Sequence, residues 1–377
     1  MRLLAFGGWY GSGNVGDDAI LIGLRNILAE AMPGSELVAL STDPEQTERV
    51  CGVEAARLMS PRWLLAHVGE YRGVFSGADA VIVTGGTPFY DWDHVSRLMH
   101  WGMARGVGKP VVCFGVGTKN IVSVHGRRLV GSLLARSERV SARDRVSWRR
   151  LEALSERDVS LTGDSALFLE PASRDVGESI ILEAGLSSDH PPVVICPRAL
   201  SGDNRAHYHD PVDGGRVTTI RLGLAHLADA LLREGHQVLF VPFHVAEYDD
   251  DRREIGVIRA AMRERGAAAL DRTLSPEAAA SLLGSPSLVV GLRLHSLILA
   301  ASQGVPVVSV GYDEKIAGFL DMAGVPECLA EPADLRRRVI DALERREQLG
   351  VVLRESCTKM KERVMQEANM VAEMLAG

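Results

Sequence analysis

The sequence predicts an α/β protein of two doubly wound, Rossmann-like domains facing each other across a cleft. Three observations carry this. A chain of 377 residues fits two domains of ordinary size. Short apolar runs alternate with helical periodicities almost throughout, the pattern of parallel sheets covered by helices. Residues with chemistry recur where the strands end, in both halves, and such sheets bind ligands outside the carboxyl ends of their strands.

In the first half the apolar runs predict strands at 2–7, 36–41, 79–84, 110–115, 138–141 and 158–161. Helical spacing predicts helices at 18–31, 60–74, 94–106, 124–137 and 144–155. Residues 172–191, richer in Asp, Ser, Pro and Gly, read as a linker region with a short helix. A second series follows, with strands near 193–196, 237–242, 267–270, 287–290 and 306–309. Its helices are expected at 220–234, 250–264, 275–283, 294–303 and 314–322. Residues 201–219 have little apolar periodicity and read as a long loop, functional or disordered. The domains are thus placed at 1–175 and 190–330, with a charged helical tail over 331–377 expected to pack back on the first.

Composition narrows the function. A hydrophobic content of 46% with 24% charged residues describes a soluble globular protein. The net charge of −7 argues against nucleic acid as the main partner. The five cysteines are widely spaced, and no Cys/His cluster suggests a metal. With no basic leader and no apolar run near 18 residues, a cytoplasmic location without a membrane span is expected.

The most informative segment is Gly11-Ser12-Gly13-Asn14-Val15-Gly16-Asp17-Asp18, between an apolar strand and a helix. Its glycine spacing matches a dinucleotide fingerprint, but two acids in the first helical turn would repel a pyrophosphate there. The second strand also ends in Ser41-Thr42 rather than in an acid. The turn therefore suits a neutral, hydroxyl-rich ligand held by Asn14 and the carboxylates.

Cationic residues follow other strands. Arg293 and His295, in Gly291-Leu292-Arg293-Leu294-His295-Ser296, open a helix and form a concentrated anion site. The plainer reading pairs Arg293 with a carboxylate of its own domain. Lys315 follows the next strand, in Tyr312-Asp313-Glu314-Lys315, and Arg143-Asp144 ends a strand of the first half. Taken alone, Lys315 reads as a surface charge, and Arg143-Asp144 as a helix cap with a local ion pair. Thr84-Gly85-Gly86-Thr87-Pro88, Gly115-Val116-Gly117, Thr162-Gly163-Asp164-Ser165 and His244 stand at strand ends too. Asp249-Asp250-Asp251 reads as a solvated helix start.

In this order the motifs resemble the polysaccharide pyruvyl transferase family, over about residues 1–325. The resemblance implies a GT-B-like pair of domains and transfer of a pyruvyl group from phosphoenolpyruvate to a sugar or glycan precursor, lipid-linked or free. The usual product is a cyclic ketal, with phosphate released and no cofactor or metal. It implies that Arg143, Arg293, Leu294, His295, Ser296 and Lys315 bind phosphoenolpyruvate. It places the acceptor near Tyr10, Ser12, Asn14, Gly86 and Thr87, beside Asp17 and Asp18. Two positions depart from the family pattern: Thr87-Pro88 where a third glycine is common, and Ser12 where an aromatic residue is common.

Such a reaction protonates the enol methylene, adds a sugar hydroxyl at C2, expels phosphate and closes with a second hydroxyl. His295 is expected to act as the general acid or to help the phosphate depart, and Asp17 or Asp18 is the expected base. Rival readings are a sugar-nucleotide glycosyltransferase, an enolpyruvyl transferase giving an enol ether, and an inactive carbohydrate-binding homologue. The sequence leaves the acceptor and the oligomeric state open.

Overall fold

The computed structural model describes residues 1–59, 66–91, 94–200, 212–246 and 249–377. By its contacts the chain divides into two units. The first comprises Met1–Ser12, Asp17–Leu169 and Lys359–Gly377, and the second Gly13–Gly16 and Glu170–Thr358.

The first unit holds a seven-stranded sheet in the order β3-β2-β1-β4-β5-β6-β7. The strands are β1 (Arg2–Phe6), β2 (Glu36–Ser41), β3 (Glu54–Arg57), β4 (Ala80–Val83), β5 (Val111–Val116), β6 (Arg139–Ala142) and β7 (Ser160–Leu161). Every pair is parallel. All carboxyl ends therefore share one edge, and the order reverses between β1 and β4, where such sheets open a crevice. The central strands are buried on both faces, which is why they read as continuous apolar runs. One face packs Leu4, Phe6, Val81, Val83 and Cys113 against Tyr71, Phe75, Trp101 and Leu134.

β3 was not foreseen: Glu-Ala-Ala-Arg at a sheet edge lacks the β-branched residues that announce a strand. Of the helix expected at 60–74, residues 60–65 lie outside the described residues, and the described helix runs Val68–Ser76. Helix Val15–Ala31 begins inside the glycine motif, so Asp17 and Asp18 occupy its first turn as predicted. Its Gly23 packs against backbone: a Cβ there would stand 1.9 Å from the Ser165 carbonyl oxygen. Helix Arg145–Glu152 is capped by Asp144, whose carboxylate accepts from Ser147 N at 2.8 Å.

The second unit repeats the plan. Its six parallel strands run in the order β12-β9-β8-β13-β14-β15. They are β8 (Val193–Cys196), β9 (Val238–Phe240), β12 (Ala268–Ala269), β13 (Leu288–Gly291), β14 (Val307–Val310) and β15 (Leu329–Ala330). Here the order reverses between β8 and β13. A two-stranded hairpin, β10 (Val245–Ala246) and β11 (Asp249–Asp250), follows β9. The supposed linker contains helix Arg174–Glu183, part of this unit, where Gly177 N donates to Ser281 Oγ at 3.0 Å.

Of the loop expected at 201–219, residues 201–211 lie outside the described residues. The rest departs from a loop, because helix Gly214–Arg233 has begun by Gly214, capped by Asp213. Two leading glycines had diluted its periodicity. Helix Leu335–Glu344 belongs to the second unit, whereas the long helix Arg346–Ala376 passes from the second unit to the first at Lys359. In the first unit its Glu367 is buried and takes two hydrogen bonds of 2.9 Å from Arg139.

Gly23→Ala is expected to lower stability by about 1–3 kcal/mol, because backbone cannot yield to the added methyl. Equilibrium denaturation measures it; an unchanged midpoint would contradict the packing. None of the five cysteines is in a disulfide, and all are buried. Burial pushes the Cys113 and Cys328 thiols up to about 12, so thiolate is scarce at neutral pH. A chromogenic disulfide reagent at pH 8 should therefore react with none until the protein is unfolded.

Candidate functional site

Each unit gathers polar residues at the carboxyl edge of its sheet, and the two sets differ in character. In the first unit the crevice between β1 and β4 is formed by closely opposed glycines. Gly85 adopts a left-handed φ of 99°, and a Cβ there would stand 2.5 Å from Gly8 N. Only glycine allows both the conformation and the approach.

Beyond them lies a compact polar cluster. Arg143, buried, donates to Asp164 at 2.8 Å through Nη1, and Asp144 lies 3.8 Å from its Nε. Asp164 also caps a short turn by accepting from Ala166 N at 2.9 Å. The Arg143 Nε has no hydrogen-bond partner among the described residues. A Cβ on Gly86 would lie 3.2 Å from Asp17 Oδ1 and 3.9 Å from Arg143 Nη1. One on Gly117 would lie 3.0 Å from Arg143 Nε. The fold thus joins Asp17, Gly86 and Arg143, which the sequence reading had divided between two ligands.

Asp18, also buried, accepts from Gly11 N at 3.3 Å and so supports the turn. Ser12 and Thr87 are half-buried beside these elements. Tyr10 corrects an expectation. It is fully buried, and its ring packs so close to Gly8 that a Cβ there would overlap it. Its carbonyl accepts from Thr42 N at 3.1 Å and Ser41 Oγ at 3.0 Å. Tyr10 is therefore a support of the turn and offers no surface to a sugar. Burial, reinforced by Asp17, Cys51 and Asp18, pushes its hydroxyl well above the usual tyrosine range.

In the second unit the edge is cationic and built on buried carboxylates. Arg293 ends the loop after β13 and precedes helix Leu294–Ala301. Its Nε donates to Asp251 Oδ2 at 3.0 Å, and its Nη2 to Asp251 Oδ1 at 2.6 Å and Asp249 Oδ1 at 2.7 Å. Burial opposes the Arg293 charge, but Asp251 and Asp249 outweigh it and raise its pKa above the ordinary arginine value.

Asp251 is completely buried and also accepts from Phe243 N and His244 N at 3.0 Å and from Ala199 N at 3.2 Å. One carboxylate thus joins the loops after β8, β9 and β13. Asp249 takes a second bond from His244 Nδ1 at 2.9 Å. The acidic run is consequently no solvated helix start: Asp249, Asp250 and Asp251 are all buried, and two of them serve Arg293.

His295 stands half-buried in the first turn of that helix. Gly16 makes room for it: a Cβ on Gly16 would fall 2.1 Å from the His295 Nδ1. The Gly13–Gly16 segment belongs to this unit through Val15 N, which donates to the Phe243 carbonyl at 3.0 Å, and a backbone bridge between Asn14 and His244. Asn14 Oδ1 accepts from Gly16 N at 3.0 Å, which shapes the turn. The last glycine of the motif therefore seats an imidazole.

Leu294 is buried, and Ser296 Oγ donates to the Arg293 carbonyl at 2.6 Å, so these two side chains shape the helix start. Lys315 opens helix Glu314–Met322, where its Nζ lies 3.3 Å from Asp313 Oδ2. That loop is pinned to the β13 loop by the Tyr312 hydroxyl, which donates to the Leu292 carbonyl.

Arg198 escaped the sequence reading. It follows β8 as Arg293 follows β13, is buried, and donates to Tyr312 Oη at 3.1 Å with its guanidinium over the ring. Burial pushes the Tyr312 hydroxyl up, against the pull of Arg198. The Cys196-Pro197-Arg198 strand end was the available signal. Among the described residues no group of His, Cys, Asp and Glu is disposed to hold a metal, and no helix is long and apolar enough to cross a membrane.

Comparison with known proteins gives the fold its relatives. The chain resembles UDP-GlcNAc 2-epimerase from Neisseria meningitidis with a TM-score of 0.61 at 14% identity, over 100% of both chains. A glycosyltransferase from Rickettsia africae gives 0.61 at 10% identity, over 100% of this chain and 98% of the other. The E. coli ADP-heptose heptosyltransferase II gives 0.52 at 16%, over 92% of this chain and 100% of that one. These likenesses establish a Rossmann-like fold of the GT-B kind. Among curated proteins, the amylovoran biosynthesis protein AmsJ of Erwinia amylovora is 21% identical over 378 residues, 89% of each chain. The family model for polysaccharide pyruvyl transferase matches residues 14–314, from Asn14 through the Arg293–Ser296 helix start to Glu314. The chain belongs to the polysaccharide pyruvyl transferase family.

Proposed function

We propose that this protein transfers the pyruvyl group of phosphoenolpyruvate to two hydroxyls of a sugar in a glycan precursor, forming a cyclic ketal and releasing phosphate. The observation that carries this reading is the cationic edge of the second unit. Arg198, Arg293, His295 and Lys315 follow three strands of one sheet, and Arg293 is oriented by two buried carboxylates.

A donor with a carboxylate and a phosphate needs several cationic groups. Arginine grips a planar carboxylate through two donors, and lysine meets phosphate as a point charge. Asp251 and Asp249 take the Nε and Nη2 side of Arg293, which leaves Nη1 for the donor. His295 delivers a proton to the enol methylene, which creates an electrophilic centre at C2. One sugar hydroxyl adds there, the C2–O bond to phosphate breaks, and the second hydroxyl closes the ring. Two hydroxyl protons are released; one restores His295 and one leaves with phosphate. In the first unit, Asp17 suits the acceptor base, since it stands beside the half-buried Gly86.

Phosphate release from phosphoenolpyruvate, with a panel of galactosides, mannosides and N-acetylhexosaminides, tests the reading. A sugar product heavier by one pyruvylidene group is expected, and NMR distinguishes a ketal from an enol ether. Absence of phosphoenolpyruvate binding, with binding of a nucleoside diphosphate sugar instead, would overturn it.

His295→Ala should lower turnover about 10²–10⁴-fold with little change in melting temperature. Gly16→Ala should also depress turnover, because the new methyl displaces the His295 ring; a normal rate would contradict the seating of that imidazole. Asp251→Asn should raise the KM for phosphoenolpyruvate at least about tenfold, since Arg293 loses a charged partner worth more than 1 kcal/mol. Steady-state kinetics at varied donor concentration reads this out.

A further inference from the structure

We infer that the rim of the first unit formed by residues 118–128 and helix Arg145–Glu152 docks on the surface of an anionic phospholipid bilayer. The charge distribution points there first. Between Thr118 and Glu152 the chain carries nine Lys and Arg and three acidic residues, within a protein of net charge −7. Some of these cations are spent internally, Arg139 on Glu367 and Arg143 on Asp164. Arg127, Arg128, Arg145 and Arg149 are exposed, and Lys119 and Arg150 half-buried. Of the nearby acids, Asp144 is a buried helix cap and Glu138 precedes β6 at the opposite edge of the sheet. That leaves the exposed Glu152 and the half-buried Asp91 against the exposed Arg127, Arg128, Arg145 and Arg149.

An apolar tip stands within this basic surface. Val122 and Val124 are 72% and 60% exposed, on either side of the helix cap Ser123. The tip is held outward by Asp91, whose carboxylate accepts from Val122 N at 2.7 Å, Ser123 N at 3.1 Å and Ser123 Oγ at 2.6 Å. With those donors satisfied from the protein side, Val122 can enter an apolar phase without carrying a bare N–H group with it. Arg150 Nη1, 3.4 Å from the Thr118 carbonyl, draws the second helix onto the same rim.

Exposed apolar side chains flanked by arginines match a bilayer interface, where tails receive the valines and headgroups the guanidinium groups. A soluble polyanion would use the charges and leave the valines without a function. The location also serves the reaction. Gly117 abuts Gly86 and Arg143, and Val122 is five residues further, at most about 18 Å along the chain. A glycan carried on a lipid would thus be met where it leaves the membrane. That last step rests on the transfer reading above; the docking surface does not.

The test is cosedimentation of the full chain with vesicles of phosphatidylcholine alone or mixed equally with phosphatidylglycerol, at low and high salt, without substrate. Binding is expected to the mixed vesicles at low salt and to fall with salt and without phosphatidylglycerol. The pairs Val122→Ser/Val124→Ser and Arg127→Glu/Arg128→Glu should each lower the partition about tenfold or more. Both should leave circular dichroism and turnover of a soluble glycoside unchanged. Val122→Ser and Arg128→Gln singly serve if a pair destabilises the fold. No binding to the mixed vesicles, undiminished binding by either pair, or capture by soluble heparin in place of vesicles would overturn the proposal. Failure of phosphoenolpyruvate turnover alone would leave it standing.

Discussion

The pairing of Arg293 with Asp251 is the interaction on which the second unit's functional edge depends. Three loops that leave different strands have no reason to remain in register unless something common holds them. The Asp251 carboxylate does so by accepting backbone N–H groups from the β8 and β9 loops together with the Arg293 guanidinium. A buried carboxylate is tolerable only when its oxygens are satisfied in this way. The same bonds that make Asp251 affordable therefore define where Arg293 points.

This arrangement reconciles two readings of a strand-end arginine. An arginine paired with carboxylates of its own domain is often merely structural. Here the pairing is one-sided, with Asp251 and Asp249 on the Nε and Nη2 face. A side chain held in place in this way has less conformational freedom left to lose in any further contact. His244 extends the network, since it bonds Asp249 and meets Asn14 of the glycine motif through backbone.

The first unit works by different means. Its crevice is made by the mutual approach of glycines, which brings Asp17, Gly86 and Arg143 into one cluster. The cluster places one buried arginine among three carboxylates, Asp17, Asp144 and Asp164.

Much of the architecture was legible in the sequence because central parallel strands are apolar on both faces and their helices amphipathic, so both domains and most elements could be read directly. Local chemistry was legible too: Asp17 and Asp18 in a first helical turn, and Arg293 and His295 at a strand-to-helix junction. What sequence could not supply was partnership across long separations. Asp249–Asp251 looked like a solvated charge run because nothing near it in sequence announces a guanidinium 42 residues on. Tyr10 was placed near the acceptor because its burial, set by Gly8 and the β2 loop, does not show in the sequence, and Arg198 passed unseen because one arginine at a strand end forms no motif. The sequence alone determined the fold class, the strand ends and the kinds of groups placed there, since these follow from periodicity and local propensity. The tertiary structure decided which of those groups are buried and which meet, since desolvation and pairing depend on neighbours that only the folded chain brings together.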